Sequence, residues 1–146
     1  MAVRKATARW QGGLKTGSGA ITLESGVLSN TAYSFTGRFE GGMGTNPEEL
    51  LGAAHAGCFA MALNASLERN NTPADYVQAE ANVHLTPKPE GGGSYISKIV
   101  LVLDATVPGI DEAKFHELAE AARANCIISA ALAGVPEITL ETTFKN

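Results

Sequence analysis

Three observations predict an α+β fold for this chain. Several short segments alternate apolar and polar residues with a period of two. Two helical patterns sit between groups of such segments instead of alternating with them one by one. A Pro/Gly-rich turn joins two of the alternating runs into a hairpin. A doubly wound parallel sheet would need strict strand-helix alternation, which is absent. At 146 residues the chain has the length of one ordinary domain, so a single domain over residues 1–146 and no linker is the expectation.

Taken in order, residues 4–10 and 19–24 are the weaker strand candidates. Residues 33–40 alternate clearly, with Tyr33, Phe35 and Phe39 on one face and Ser34, Thr36, Arg38 and Glu40 on the other, which predicts a third strand carrying Arg38 on its polar face. Gly41-Gly42-Met43-Gly44 is then a turn: no Lys-Ser/Thr follows it as in a phosphate cradle, and the next helix opens with two glutamates that repel an anion.

That helix has a strong entry signal, with Thr45 or Asn46 as cap, Pro47 in the first position and Glu48 and Glu49 in the first turn, and it should run to about Arg69. Its residues are apolar on nearly every side, so a central helix covered almost all round is predicted. Residues 78–85 and 96–107 form a hairpin across the 87–94 turn, with residues 99–103 covered on both faces. A helix from Asp111 places Phe115, Leu118, Ala119 and Ala122 on one face. A short helix capped by Asn125 follows and ends before Gly134-Val135-Pro136. Residues 137–145 alternate as a last strand, giving roughly six strands in antiparallel hairpins.

With 45% hydrophobic and 18% charged residues, the composition is that of a globular protein and excludes fibrous and disordered classes. The net charge of −4 gives no general attraction to nucleic acid or anionic lipid, so neither is an expected partner. No apolar stretch follows the basic start, so a cytoplasmic location is expected; the apolar run 53–67 is short for a membrane span. Two cysteines 68 positions apart are too few for a disulfide scaffold and lack zinc-site spacing.

Cys58 in an Ala-rich helix can be a small core residue or a reactive thiol. Cys126 either continues the apolar stripe from Ala122 or lies at a helix start that favours thiolate. His55, three residues before Cys58, fits a satisfied core histidine, a base for Cys58 or one metal ligand. His84 and His116 lie on outward positions, so no metal site is expected.

Three blocks decide between these options: Gly37-Arg38-Phe39-Glu40-Gly41-Gly42, then Gly44-Thr45-Asn46-Pro47-Glu48-Glu49-Leu50-Leu51-Gly52-Ala53-Ala54-His55-Ala56-Gly57-Cys58-Phe59-Ala60-Met61-Ala62-Leu63, and Val107-Pro108-Gly109-Ile110-Asp111. Together they resemble the OsmC branch of the OsmC/Ohr peroxiredoxins, and the resemblance runs in order along essentially the whole chain, including Trp10 and the segment Glu24-Ser25-Gly26-Val27-Leu28.

The resemblance implies a thiol-dependent peroxidase of oxidative and osmotic stress defence, in which organic hydroperoxides are reduced to alcohols. Cys58 matches the peroxidatic cysteine, Cys126 the resolving cysteine, and Arg38 with Glu48 the activating pair. It also implies that no cofactor is bound and that an external lipoyl-type dithiol or lipoylated protein reopens a Cys58–Cys126 disulfide. One departure is visible: Ile127 stands where the family usually has proline after the resolving cysteine.

The chemistry needs these residue types. Attack on a peroxide requires a thiolate, and an apolar surrounding raises a thiol's pKa above about 8.5, so a fixed cation is required nearby. A guanidinium held by a carboxylate supplies it, although first-turn helix stabilisation is an equally good use of Glu48. Alternatives from other classes are a Cys-His hydrolase using Cys58 and His55, and a non-enzymatic dimer binding apolar ligands.

An intertwined homodimer is expected from helix length. Glu48 and Cys58 lie ten residues apart, about 15 Å along a helix axis and roughly 80° out of line. They cannot easily serve one peroxide from one helix, whereas an antiparallel partner helix would bring its first turn beside Cys58.

Overall fold

The computed structural model describes residues 1–146, which form two compact units, Met1–Leu50 and Leu51–Asn146. The elements run β1 (Ala6–Gln11), β2 (Ser18–Leu23), β3 (Thr31–Tyr33), α1 (Phe35–Phe39), α2 (Pro47–Arg69), β4 (Tyr76–Pro87), β5 (Ser94–Thr106), α3 (Glu112–Asn125), α4 (Ile127–Ala131) and β6 (Glu137–Lys145). The α+β class and the six strands agree with the expectation.

In the first unit β1, β2 and β3 form an antiparallel sheet in that order, with Ala6 opposite Leu23 and Gly19 opposite Tyr33. Gly19 lets the Trp10 and Tyr33 rings approach to 5.3 Å between centroids; a Cβ there would run into the Tyr33 ring. Ile21 is the unit's one buried large apolar side chain.

Residues 33–40 depart from the predicted strand. β3 ends at Tyr33, and α1 follows. The Ser34 hydroxyl accepts a 2.9 Å hydrogen bond from the Gly37 amide, and the Phe35 and Phe39 rings, four residues apart, pack at 4.9 Å. A side-chain cap and an i,i+4 aromatic pair are local interactions that override two-residue alternation. Arg38 therefore projects from a helical turn and not from the polar face of a strand.

The 41–44 turn leads into α2 as expected. Gly44 has φ +98°, and a Cβ on it would collide with the Ala32 carbonyl oxygen, which accepts from the Thr45 amide at 3.0 Å. Asn46, not Thr45, is the cap: its Oδ1 accepts from the Glu49 amide at 2.8 Å.

The second unit has a sheet of order β4-β5-β6. β4 and β5 make the predicted hairpin, with an irregularity at His84/Leu85, and Gln78, Glu80, Asn82 and His84 are exposed as the alternation requires. β5 and β6 pair in parallel, with Lys98 opposite Glu137. The sheet is thus not made of antiparallel hairpins throughout, because α3 and α4 intervene and return the chain in the same direction. Asp111 caps α3 through a 2.9 Å bond to the Lys114 amide, and Phe115, Ala119 and Ala122 are buried as predicted. Asn125 is not the cap of α4. It is the last residue of α3, bonded to the Ala121 carbonyl, and Cys126 itself occupies the cap position.

By length and composition α2 could cross a bilayer. It instead buries a single stripe, Gly52, His55, Phe59, Leu63 and Leu67, and Phe59, Leu63 and Leu67 join Leu101, Leu103 and Phe115 in the core. All-round cover is not found within the chain. Ala53, Ala54, Gly57 and Met61 are exposed, Met61 to 77%.

Gly44→Ala should lower the stability of the protein by about 1–3 kcal/mol through backbone strain. Chemical denaturation measures this, and an unchanged midpoint would show that the turn tolerates a side chain.

Candidate functional site

Two pairs of the anticipated residues are brought together, each within its own unit. In the first unit, α1 presents Arg38 and the first turn of α2 presents Glu48. Arg38 Nε donates to both Glu48 carboxylate oxygens at 3.1 Å, and Nη2 donates to Oε1 at 2.7 Å. This fork-to-carboxylate geometry holds the guanidinium plane and leaves Nη1 free to donate elsewhere. Glu48 is the more buried partner, with its side chain 12% exposed against 41% for Arg38.

Glu49 is engaged differently, accepting from the Thr45 hydroxyl at 3.2 Å, so the neighbouring glutamates are not interchangeable. The Phe39 ring lies 5.2 Å from the Arg38 guanidinium carbon, and Trp10, Tyr33, Phe35 and Pro47 complete a small apolar hollow of about 220 Å³ beside it.

In the second unit, Cys58 on α2 and Cys126 between α3 and α4 line one cavity of about 630 Å³, together with Ala54, Met61, Ile127 and Ile128. The wall is overwhelmingly aliphatic, which suits an alkyl chain. Both cysteines are free thiols; Cys58 is half-buried and Cys126 fully buried. Burial pushes the Cys126 thiol up, but the neighbouring Cys58, the amides of Ser129 and Ile128 and the Ser129 hydroxyl together hold it below its ordinary value. The sulfur makes no formed side-chain cap bond to α4, so the amides act on it as a favourable field more than as a fixed bond.

His55 lies in the buried stripe of α2. Its Nε2 is 2.8 Å from Ser129 Oγ, and its Nδ1 is buried without a partner. An unpartnered buried polar atom costs about 1–3 kcal/mol, so His55 is a core histidine satisfied on one nitrogen only. Its one hydrogen bond is to Ser129 and not to Cys58.

Ser129 was not among the residues singled out from sequence. The available signal was its position three residues after Cys126, in the first turn of the short helix that follows. His84 and His116 stay apart from these groups, and no cluster of three or more metal-ligating side chains forms.

Residues 40–141 match the family described as OsmC-like protein. Over 144 residues the chain is 44% identical to peroxiredoxin OsmC of Escherichia coli strain K12, covering 98% of this chain and 97% of that protein. It is 36% identical over 124 residues to the organic hydroperoxide resistance protein OhrB of Bacillus subtilis, covering 85% and 88%. The crystal structure of B. subtilis OhrB superposes with a TM-score of 0.74 at 32% identity, covering 97% of this chain and 98% of that one.

Burial holds the pKa of His55 below its ordinary value of about 6.5, because the cation would be desolvated. The stability this reflects is fully present above the unfolded-state pKa of about 6.5 and is lost as pH falls from there toward the folded pKa, where only the unfolded chain gains a proton. Urea denaturation of the reduced protein should therefore show a falling midpoint between about pH 7.5 and about pH 5.5, and the fall should be smaller in His55→Gln.

Proposed function

The chain belongs to the OsmC-like family, and from that membership and its site we propose that it is a peroxiredoxin-type organic hydroperoxide reductase acting in the cytoplasm in stress defence. The observation that carries this reading is the pairing of two reduced cysteines from distant parts of the sequence at the wall of one apolar cavity. Peroxide reduction by two thiols needs that juxtaposition, whereas ligand binding or core packing does not.

The Cys58 thiolate attacks the terminal oxygen of the hydroperoxide. The O–O bond breaks, Cys58 becomes a sulfenic acid, and the alkoxide takes a proton to leave as the alcohol. Cys58 is the attacking thiol because it is the more accessible of the two. Cys126 then displaces hydroxide from the Cys58 sulfur, giving a Cys58–Cys126 disulfide and water. An external lipoyl-type dithiol, free or carried by a lipoylated protein, reopens it by exchange. No bound cofactor takes part in these steps.

Arg38, held by Glu48, supplies the positive charge. Its free Nη1 edge suits both a thiolate and the departing oxygen.

The working unit is a homodimer in which each reaction centre takes its guanidinium from one chain and its thiols from the other. Two features support this: the exposed apolar stripe of α2 around Met61, and a first unit of 50 residues whose one buried large apolar side chain is Ile21. Within such a dimer residues 1–146 act as a single peroxidase domain.

Cys58→Ser should abolish hydroperoxide reduction, whereas Cys126→Ser should consume about one equivalent per chain and accumulate oxidised Cys58. Mass spectrometry after one equivalent of cumene hydroperoxide reads both outcomes and should find a Cys58–Cys126 link in the parent; thiols left unreactive there would favour a ligand-binding protein. Arg38→Met should slow the peroxide step by about tenfold or more near neutral pH. Mixing Cys58→Ser chains with Arg38→Met chains should recover activity, and mixtures that stay inactive would place both groups in one chain.

A further inference from the structure

We propose that Ser129 and His55 are positioning residues for the disulfide-forming step: His55 donates through Nε2 to Ser129 Oγ, which commits the single Ser129 hydroxyl proton to the Cys126 sulfur and readies it to attack oxidised Cys58. This rests on the two-thiol peroxidase reading above and assigns a role to two groups that the reading does not use.

The geometry supplies the argument. Ser129 follows Cys126 by three residues in the turn that the 3.0 Å bond from the Ala130 amide to the Cys126 carbonyl closes, which sets its hydroxyl beside the sulfur. The same oxygen is 2.8 Å from His55 Nε2. A serine hydroxyl has one proton, and it can go to only one of these neighbours.

A protonated imidazole would bring two N–H donors into a site where Nδ1 has no acceptor, so His55 is neutral. If the ring proton sat on Nδ1, that N–H would be buried unpaired, and Nε2 would draw the serine proton away from sulfur. With the proton on Nε2, every donor is used: Nε2–H points to Oγ, and the hydroxyl points to Cys126. A hydrogen bond donated to the sulfur favours the Cys126 thiolate over the thiol, and the Ser129 hydroxyl is one of the groups that hold this thiol below its ordinary value.

In the step itself, the Cys126 sulfur lone pair attacks the sulfur of Cys58 sulfenic acid. The S–O bond breaks, hydroxide leaves with the electron pair, and the proton lost from Cys126 converts it to water. Ser129 and His55 keep their own protons throughout. Cys58 oxidation precedes this step and does not depend on them.

Single-turnover kinetics with one equivalent of cumene hydroperoxide separate the steps. Dimedone trapping reports Cys58 sulfenic acid, and the disulfide mass reports resolution. Ser129→Ala should leave sulfenate formation within about twofold of the parent and slow disulfide formation about tenfold, the loss of one hydrogen bond to an anion. Trapped sulfenate should rise, and excess hydroperoxide should inactivate the variant at a lower dose. His55→Leu should slow the same phase less, because Ser129 can then still turn its proton to sulfur.

Ser129→Thr keeps the hydroxyl and His55→Gln keeps an N–H donor, so both should recover most of the lost rate. Disulfide formation at the parental rate in Ser129→Ala overturns the proposal and leaves the peroxidase reading intact. So does equal slowing of both phases without rescue by Ser129→Thr, which would mark a general packing defect. A parent protein that consumes no hydroperoxide overturns the peroxidase reading, and the proposal with it.

Discussion

The packing of one stripe of α2 sets everything that the second unit can do. Phe59, Leu63 and Leu67 are fully buried, and with them the helix can take only one rotation against β5 and α3. Cys58 precedes Phe59 directly, so it sits about 100° round the helix from the core, at the margin where a thiol can be supported on one side and approached on the other. A large-to-small change in such a stripe typically costs about 2–5 kcal/mol, far more than any single hydrogen bond at the site, so the core and not the site's own bonds fixes the sulfur's position.

Cys126 depends on the same core. It ends the buried run Phe115, Ala119 and Ala122 on α3, and the break between α3 and α4 turns its sulfur to the cavity it shares with Cys58. A cysteine inside an unbroken helix here would have been another small core residue. The interruption, with Cys126 in extended conformation at φ −62° and ψ 126°, lets the residue be buried and still meet another sulfur. Ile127 continues the chain where a proline would have stiffened it; α4 forms nonetheless, with the Ala130 amide bonding back to the Cys126 carbonyl at 3.0 Å.

The first unit is organised by local interactions instead of a core. Ser34 and Asn46 cap α1 and α2, glycines admit the Trp10–Tyr33 pair and the 41–44 turn, and the Arg38–Glu48 fork ties α1 to the start of α2. A half-exposed ion pair of this kind adds little stability, but two-point binding fixes the orientation of a cation. The carboxylate is the better-buried member, so the guanidinium is held from its protected side and its other side stays open.

Some of this was determined by the sequence alone. The long α2 with its entry signal, the β4–β5 hairpin and the buried face of α3 are written in periodicities and caps that repeat over many residues, so no single tertiary contact can erase them. The motif blocks hold Arg38, Glu48 and Cys58 and carry the family resemblance, and the Arg38–Glu48 pair is met in the structure; Cys126 lies outside those blocks. Only the tertiary structure decided the rest. Residues 33–40 alternate like a strand, yet a serine cap and a Phe35–Phe39 contact, both local but invisible to alternation, make the segment helical. β6 runs parallel to β5 because of where two helices deliver it, and strand direction leaves no trace in a strand's own composition. The apparent all-round apolarity of α2 proved to be a buried stripe on one side and an exposed one on another, since hydropathy records what a residue prefers and not what lies against it. Ser129 could not be connected to His55 from the sequence, because a hydrogen bond between residues 74 positions apart exists only once the fold has brought α4 onto α2.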